Sequence, residues 1–182
     1  MRGKELIKQI MARKNKNNSV MNAALSYLTA KSRTVREIEL HLDAKNYGEV
    51  EIYECVERLK ELGYLDDNKY ALDFIESRLR TKPISKQKLR QQLYNHKLPQ
   101  EVIDTAIETI TDEIEQANAS RVAAKYWRQF DDLEDYDRKT RVIRRLLGRG
   151  YNFHTIKQSV EAIVGSLDEI DPESLSAEED AE

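Results

Sequence analysis

A single cysteine, Cys55, excludes an internal disulfide framework and suits a reducing compartment. Three prolines and six glycines in 182 residues leave few breakers. With 40% hydrophobic and 35% charged residues, that scarcity favours a helical protein with heavily solvated faces. No apolar run approaches the ~20 residues of a membrane span or the core of a signal peptide. A cytoplasmic protein without membrane association is expected. No glycine-rich phosphate loop occurs, so no ATP site and no cofactor is expected. The three histidines, His41, His96 and His154, include no two at metal-ligand spacing, so neither a metal site nor a catalytic centre is expected.

What is present is charge, and it is segregated. Residues 1–18 carry six basic side chains against the single acid Glu5, with Leu6, Ile7, Ile10 and Met11 as a short apolar stripe. Residues 165–182 carry eight acids and no base. A mobile basic arm and a disordered acidic tail are expected at the two ends. The pI says little about partners, because the distribution of charge matters more than its sum.

Between the ends, an internal repeat is legible. Ile38, Leu42, Tyr47, Ile52, Val56 and Leu59 form one apolar series. An offset of 51 gives Leu89, Leu93, Leu98, Ile103, Ile107 and Ile110, and a further 53 gives Val142, Leu146, Tyr151, Ile156, Val160 and Ile163. Cap residues recur too: Thr34 with Glu37 forms a capping box, Ser85 lies 51 residues on, and Asp137 stands nearby in the third copy. Gly48, Pro99 and Asn152 share one matched position before the third helix of each copy. Leading helices are predicted over Val20–Ala30, Asn68–Arg80 and Ile114–Phe130, the last with Ala123, Trp127 and Phe130 as its apolar series.

The predicted fold is all-α: three tandem three-helix repeats over residues 19–65, 66–112 and 113–164, flanked by the arm (1–18) and the tail (165–182). Units of this size are near the limit at which a lone core suffices, so neighbours should pack on each other. An elongated body, open to curvature, is the expected result. The stretch Leu62–Arg80 joins the first two units. Gly63 is suited to the left-handed stop, and Asp66 or Asp67 reads as a helix cap rather than a metal pair.

The second helices of the last two repeats are basic. From Arg78 to Lys97 there are seven positive residues and no acid, and from Asp137 to Gly150 six against Asp137 alone. The third helices of the first two units are acidic instead. A basic stripe of this size would attract phosphate in a salt-dependent manner. The alternative is a solvated face that pairs with the acidic helices of the same molecule.

Residues 32–65 also invite comparison with a helix-turn-helix DNA-binding transcriptional regulator. Helix signals resume at once after Leu65, leaving no room for a wing. The would-be recognition helix carries five glutamates, which would repel the phosphates of a groove. Cys55 reads as a small buried hydrophobe and Trp127 as core rather than as a stacking platform.

Gly63-Tyr64-Leu65-Asp66-Asp67, followed by Tyr70-Ala71, Phe74 and Arg78, resembles the signature of the regulatory protein RecX family. So do Leu89-Arg90-Gln91-Gln92-Leu93 and the stretch from Val142 to Tyr151, and the resemblance extends over about residues 20–164. The chain departs from the family pattern at Lys82-Pro83 and Lys97-Leu98. The resemblance implies a non-enzymatic, negative modulator of the RecA recombinase. Such a protein lies in the groove of the RecA–DNA filament and suppresses ATP hydrolysis, strand exchange and co-protease activity, and so regulates DNA repair and the SOS response. Implied partners are the RecA filament and, without sequence preference, the DNA phosphate backbone, with the chain itself a monomer. The candidate contact residues for DNA or RecA are Arg78, Arg80, Lys82, Lys86 and Arg90 in the second unit. In the third they are Arg138, Arg141, Arg144, Arg145 and Arg149. Their role would be electrostatic positioning.

Overall fold

A computed structural model describes residues 19–167 and 170. The basic arm expected over 1–18 therefore lies outside the described residues, as does the expected tail at 168–169 and 171–182. The described residues form helices and no strand. They are α1 (19–30), α2 (Val35–Asp43), α3 (Glu49–Glu61), α4 (Asp67–Thr81), α5 (Lys86–Asn95), α6 (Gln100–Glu108), α7 (Asp112–Gln129), α8 (Asp135–Leu147) and α9 (Phe153–Val164). They run as three helix triplets in tandem.

The repeated apolar series is the core. Sixteen of its eighteen positions are buried; Tyr47 and Ile163 are half-buried and pack against the same clusters. Each buried Leu or Ile contributes on the order of 1.5–3 kcal/mol from removed apolar surface. Helix starts follow the repeat as well. Thr34 and Glu37 form the reciprocal capping box on α2. Ser85 accepts from the Lys88 N–H at 3.1 Å, and Asn152 from the Thr155 N–H at 2.8 Å. The third copy differs at α8. That helix begins at Asp135 with Glu134 as an N-cap that makes no side-chain bond, so Asp137 is inside the first turn. There its charge complements the positive end of the helix dipole instead of closing a cap.

The joint after α3 divides its labour between two aspartates. Gly63 takes φ +73°, and the Tyr64 N–H returns to the Leu59 carbonyl at 2.9 Å, turning Leu65 into the core. Asp66 accepts from the Lys69 N–H at 3.0 Å and so caps α4. Asp67 accepts from the Val35 N–H at 2.9 Å and so caps α2.

The described residues divide into two compact units that cut across the sequence repeats. One comprises 19–72 with 94–102, the other 73–93 with 103–167 and 170. Each unit is built around one junction between repeats, and the two junctions use equivalent residues. In the first, the Thr34 hydroxyl donates to the His96 carbonyl at 2.8 Å, His96 Nδ1 meets Glu37 at 2.9 Å, and the Tyr70 ring stands edge-on to His96. In the second, the Ser85 N–H donates to the Arg149 carbonyl at 3.0 Å, and Lys86 N–H donates to Glu115 at 2.8 Å. The turn that presents His96 or Arg149 carries a left-handed residue each time: Lys97 at φ +63° and Gly150 at φ +81°, matching Asn46 at φ +61° in the first repeat. Only the third must be glycine. A Cβ at Gly150 would stand 2.7 Å from Ser85 Oγ and 3.2 Å from Lys88 Cβ.

Cys55 is buried in the first core, which pushes its thiol pKa up and keeps it protonated.

Candidate functional site

All ten candidate cations fall within the second compact unit. They arrive there from α4, the α4–α5 connector, α5 and α8. The apolar residues Val142, Ile143 and Leu146 fix the rotation of α8 by filling the core. The rotation leaves Arg141 and Arg145 exposed, while Arg144, on the same face by its i, i+3, i+4 spacing, is half-buried.

The ten are not equivalent. Four of them are occupied in holding the unit together or by a carboxylate. Arg138 donates from Nε to the Trp127 carbonyl at 2.8 Å, with a second guanidinium nitrogen on the same oxygen, while its Cζ lies 4.0 Å from the Trp127 ring centroid. It thereby satisfies a carbonyl in the last turn of α7, which the helix itself cannot do. Arg149 donates to the Pro83 carbonyl at 2.8 Å and to the Tyr126 hydroxyl at 3.0 Å. That bond, the largest cause, lowers the Tyr126 pKa against the opposing effect of burial, with Arg149, Lys125 and Arg145 adding positive charge. Lys86 pairs with Asp112 at 2.6 Å and Arg90 pairs with Asp104. The Lys86 hydrogen bond holds the Asp112 carboxyl below the usual carboxylate range. For these two residues, pairing with acids of the same molecule is the structural outcome.

The others are differently placed. Arg80, Lys82, Arg141 and Arg145 are exposed and have no ion pair among the described residues. Arg78 lies over the Phe74 ring, 5.1 Å from its centroid. Arg141 and Arg145 rest against aromatic rings at the C-terminal end of α7, 5.9 Å from the centroid of its C-cap Phe130 and 5.8 Å from that of Tyr126. Tyr126 and Phe130 are themselves stacked, with centroids 5.7 Å apart. Both guanidinium groups stand within cation–π range of a ring while the side chains stay exposed. The resulting face is suited to phosphate or carboxylate oxygens, which a guanidinium fork can grip in pairs.

Three further cations outside the ten candidates lie in the same unit. Lys125 lies 5.7 Å from the Tyr126 ring centroid, Arg121 donates to the Leu79 carbonyl, and Lys88 Nζ donates to the Gly148 carbonyl at 2.6 Å. Tyr126 was the available signal: it sits four residues before Phe130, on the α7 face that α8 covers. Trp127 is half-buried and packed on the third core, as the sequence suggested.

Comparison with known proteins covers most of the chain. Family models described as the first, second and third three-helix domains of RecX match residues 21–59, 66–107 and 113–160. A regulatory protein RecX from Chlorobium phaeobacteroides is 29% identical over 150 residues, spanning 82% of this chain and 97% of that protein. One from Mycolicibacterium vanbaalenii is 31% identical over 134 residues, spanning 70% and 73% respectively. The crystal structure of RecX from Lactobacillus salivarius superposes with a TM-score of 0.70 at 21% identity, over 86% of this chain and 99% of that one, a likeness of fold. No helix among the described residues is long and apolar enough to cross a membrane.

Proposed function

Since the chain belongs to the RecX family of regulatory proteins, we propose that it is a non-enzymatic, cytoplasmic, negative modulator of the RecA recombinase. In this reading it binds the groove of the RecA–DNA filament as a monomer and inhibits ATP hydrolysis, strand exchange and co-protease activity. DNA repair and the SOS response are regulated as a consequence. RecA on DNA is the target that the family resemblance implies. The exposed α8 arginines support an electrostatic mode of contact.

The observation that carries the reading is the pair Arg141 and Arg145: exposed, aligned against α7 rings, and without a carboxylate partner among the described residues. Their neighbours Arg138 and Arg149 build the platform, and Arg80 and Lys82 add charge beyond it. Contacts of this kind position a polyanion or an acidic protein surface and read no base. Titrating DNA-stimulated RecA ATPase with the wild type and with R141E/R144E/R145E tests it. The reading expects the triple variant to lose inhibition; equal inhibition by both proteins removes the arginine face from the mechanism.

A further inference from the structure

Three cations gather around the ring of Tyr126 in the second unit. Lys125 Nζ, Arg145 Cζ and Arg149 Cζ lie 5.7, 5.8 and 5.5 Å from its centroid. None of the three pairs with a carboxylate among the described residues. Like charges gathered without a counter-charge repel one another, and an anion that joins them removes that cost. Arg149 is held at three points. Its carbonyl accepts the Ser85 N–H at 3.0 Å, and its guanidinium donates to the Pro83 carbonyl at 2.8 Å and to the Tyr126 hydroxyl at 3.0 Å. Both guanidinium partners are neutral, so these bonds orient the charge without cancelling it. The Tyr126 hydroxyl points to a ligand independently. A phenol both accepts and donates. Here the oxygen accepts from Arg149, and its own O–H finds no acceptor among the described residues. The Arg149 bond, the largest cause, lowers the pKa of the phenol and so strengthens that O–H as a donor. Tyr126 is half-buried, and Lys125 and Arg145 beside it are exposed.

We propose that Tyr126, with Lys125, Arg145 and Arg149, forms an anion site that takes one phosphate group. The Tyr126 O–H donates to a phosphate oxygen, Lys125 and Arg145 close on the others, and Arg149 orients the phenol. Donors from several side chains suit the oxygens of a phosphate better than the two of a carboxylate. Lys125, on α7 and outside the α8 series, is the contact residue that the site adds. A strand backbone and a free polyphosphate present the same chemistry to it. The site deepens the reading of the arginine face under Proposed function, and its use on nucleic acid rests on that reading.

Calorimetric titration with tripolyphosphate, at an ionic strength of about 100 mM held constant with chloride, tests the site without RecA or nucleic acid. The wild type is expected to bind. Y126F keeps the ring that stacks on Phe130 and removes only the hydroxyl. It is expected to bind about ten-fold more weakly, and K125Q about three-fold more weakly. A second measurement needs no variant: tripolyphosphate is expected to slow reductive methylation of Lys125 but not of Lys157, which is also exposed. No binding by the wild type, wild-type affinity in both folded variants, or equal methylation of Lys125 with and without the probe overturns the site. A labelled oligothymidylate then separates the two sources. Weaker binding by Y126F than by the wild type identifies a strand phosphate, the expected result. Unchanged or absent binding, with tripolyphosphate still held by the wild type, identifies a free polyphosphate and keeps the site. The ATPase titration with R141E/R144E/R145E decides the reading of the arginine face separately, so the two fail apart.

Discussion

Asp67 accepts a hydrogen bond from the Val35 amide at 2.9 Å, so the first residue of α4 caps the first turn of α2, 32 residues earlier in the chain. Glu115, near the start of α7, does the same for Lys86 at the start of α5. In both junctions a leading helix supplies the acid that closes the second helix of the repeat before it. This accords with compact units that straddle repeats, because these capping contacts run across the sequence boundaries.

Asp67 makes the stability depend on pH in a defined direction. Burial, the largest cause, raises its pKa, against the Val35 hydrogen bond and Lys60, which lower it. With the folded pKa above the unfolded one, the folded protein holds a proton that the unfolded chain has lost. The contribution is full below the unfolded carboxylate pKa of about 4 and is lost as pH rises through the raised folded value. Urea titrations of the wild type and D67N across this range should show the wild type's relative stability declining as pH rises. A difference that is flat with pH would count against the assignment.

Glycine is needed for different reasons at Gly63 and Gly150. Both have positive φ, but a Cβ at Gly63 meets nothing within 4 Å, whereas at Gly150 it would meet Ser85 Oγ at 2.7 Å. G63A should cost about 1 kcal/mol from the left-handed backbone alone. G150A should cost clearly more, about 2–4 kcal/mol, because Lys88 Cβ and the Ser85 cap must also move. Denaturation midpoints of the two variants, side by side, check the order.

The hydrogen bond from Arg149 to the Tyr126 hydroxyl makes that phenol the easier to ionise. R149Q should raise the Tyr126 pKa towards its ordinary value. The difference between alkaline ultraviolet titrations with and without Y126F isolates this one tyrosine among nine.

Much of this was legible in the chain. The eighteen repeated apolar positions anticipated the core because burial follows helical period. Thr34, Ser85 and Asn152 anticipated helix starts because a cap is a local device. Partners of charges were not legible. A run such as Arg138 to Arg149 shows how many cations there are, yet nothing in it says that Arg138 spends its donors on the Trp127 carbonyl or Arg149 on Pro83. Those bonds depend on which carbonyls a neighbouring helix end leaves open. Leu167 and Ile170, an apolar pair three residues apart after Gly165, were obscured by the acids around them.

The central claim is that arginines of one basic face have two kinds of work, binding and holding the fold. The most direct measurement compares the inhibition of DNA-stimulated RecA ATPase by R141Q/R145Q and K86Q/R90Q, with the stability of each determined in parallel. The account predicts that R141Q/R145Q loses about ten-fold or more in potency at an unchanged denaturation midpoint, because exposed cations carry the polyanion contact. It predicts that K86Q/R90Q stays within about two-fold of the wild type, because those charges are already paired. Wild-type potency in R141Q/R145Q, or an equal loss in both variants, would contradict it.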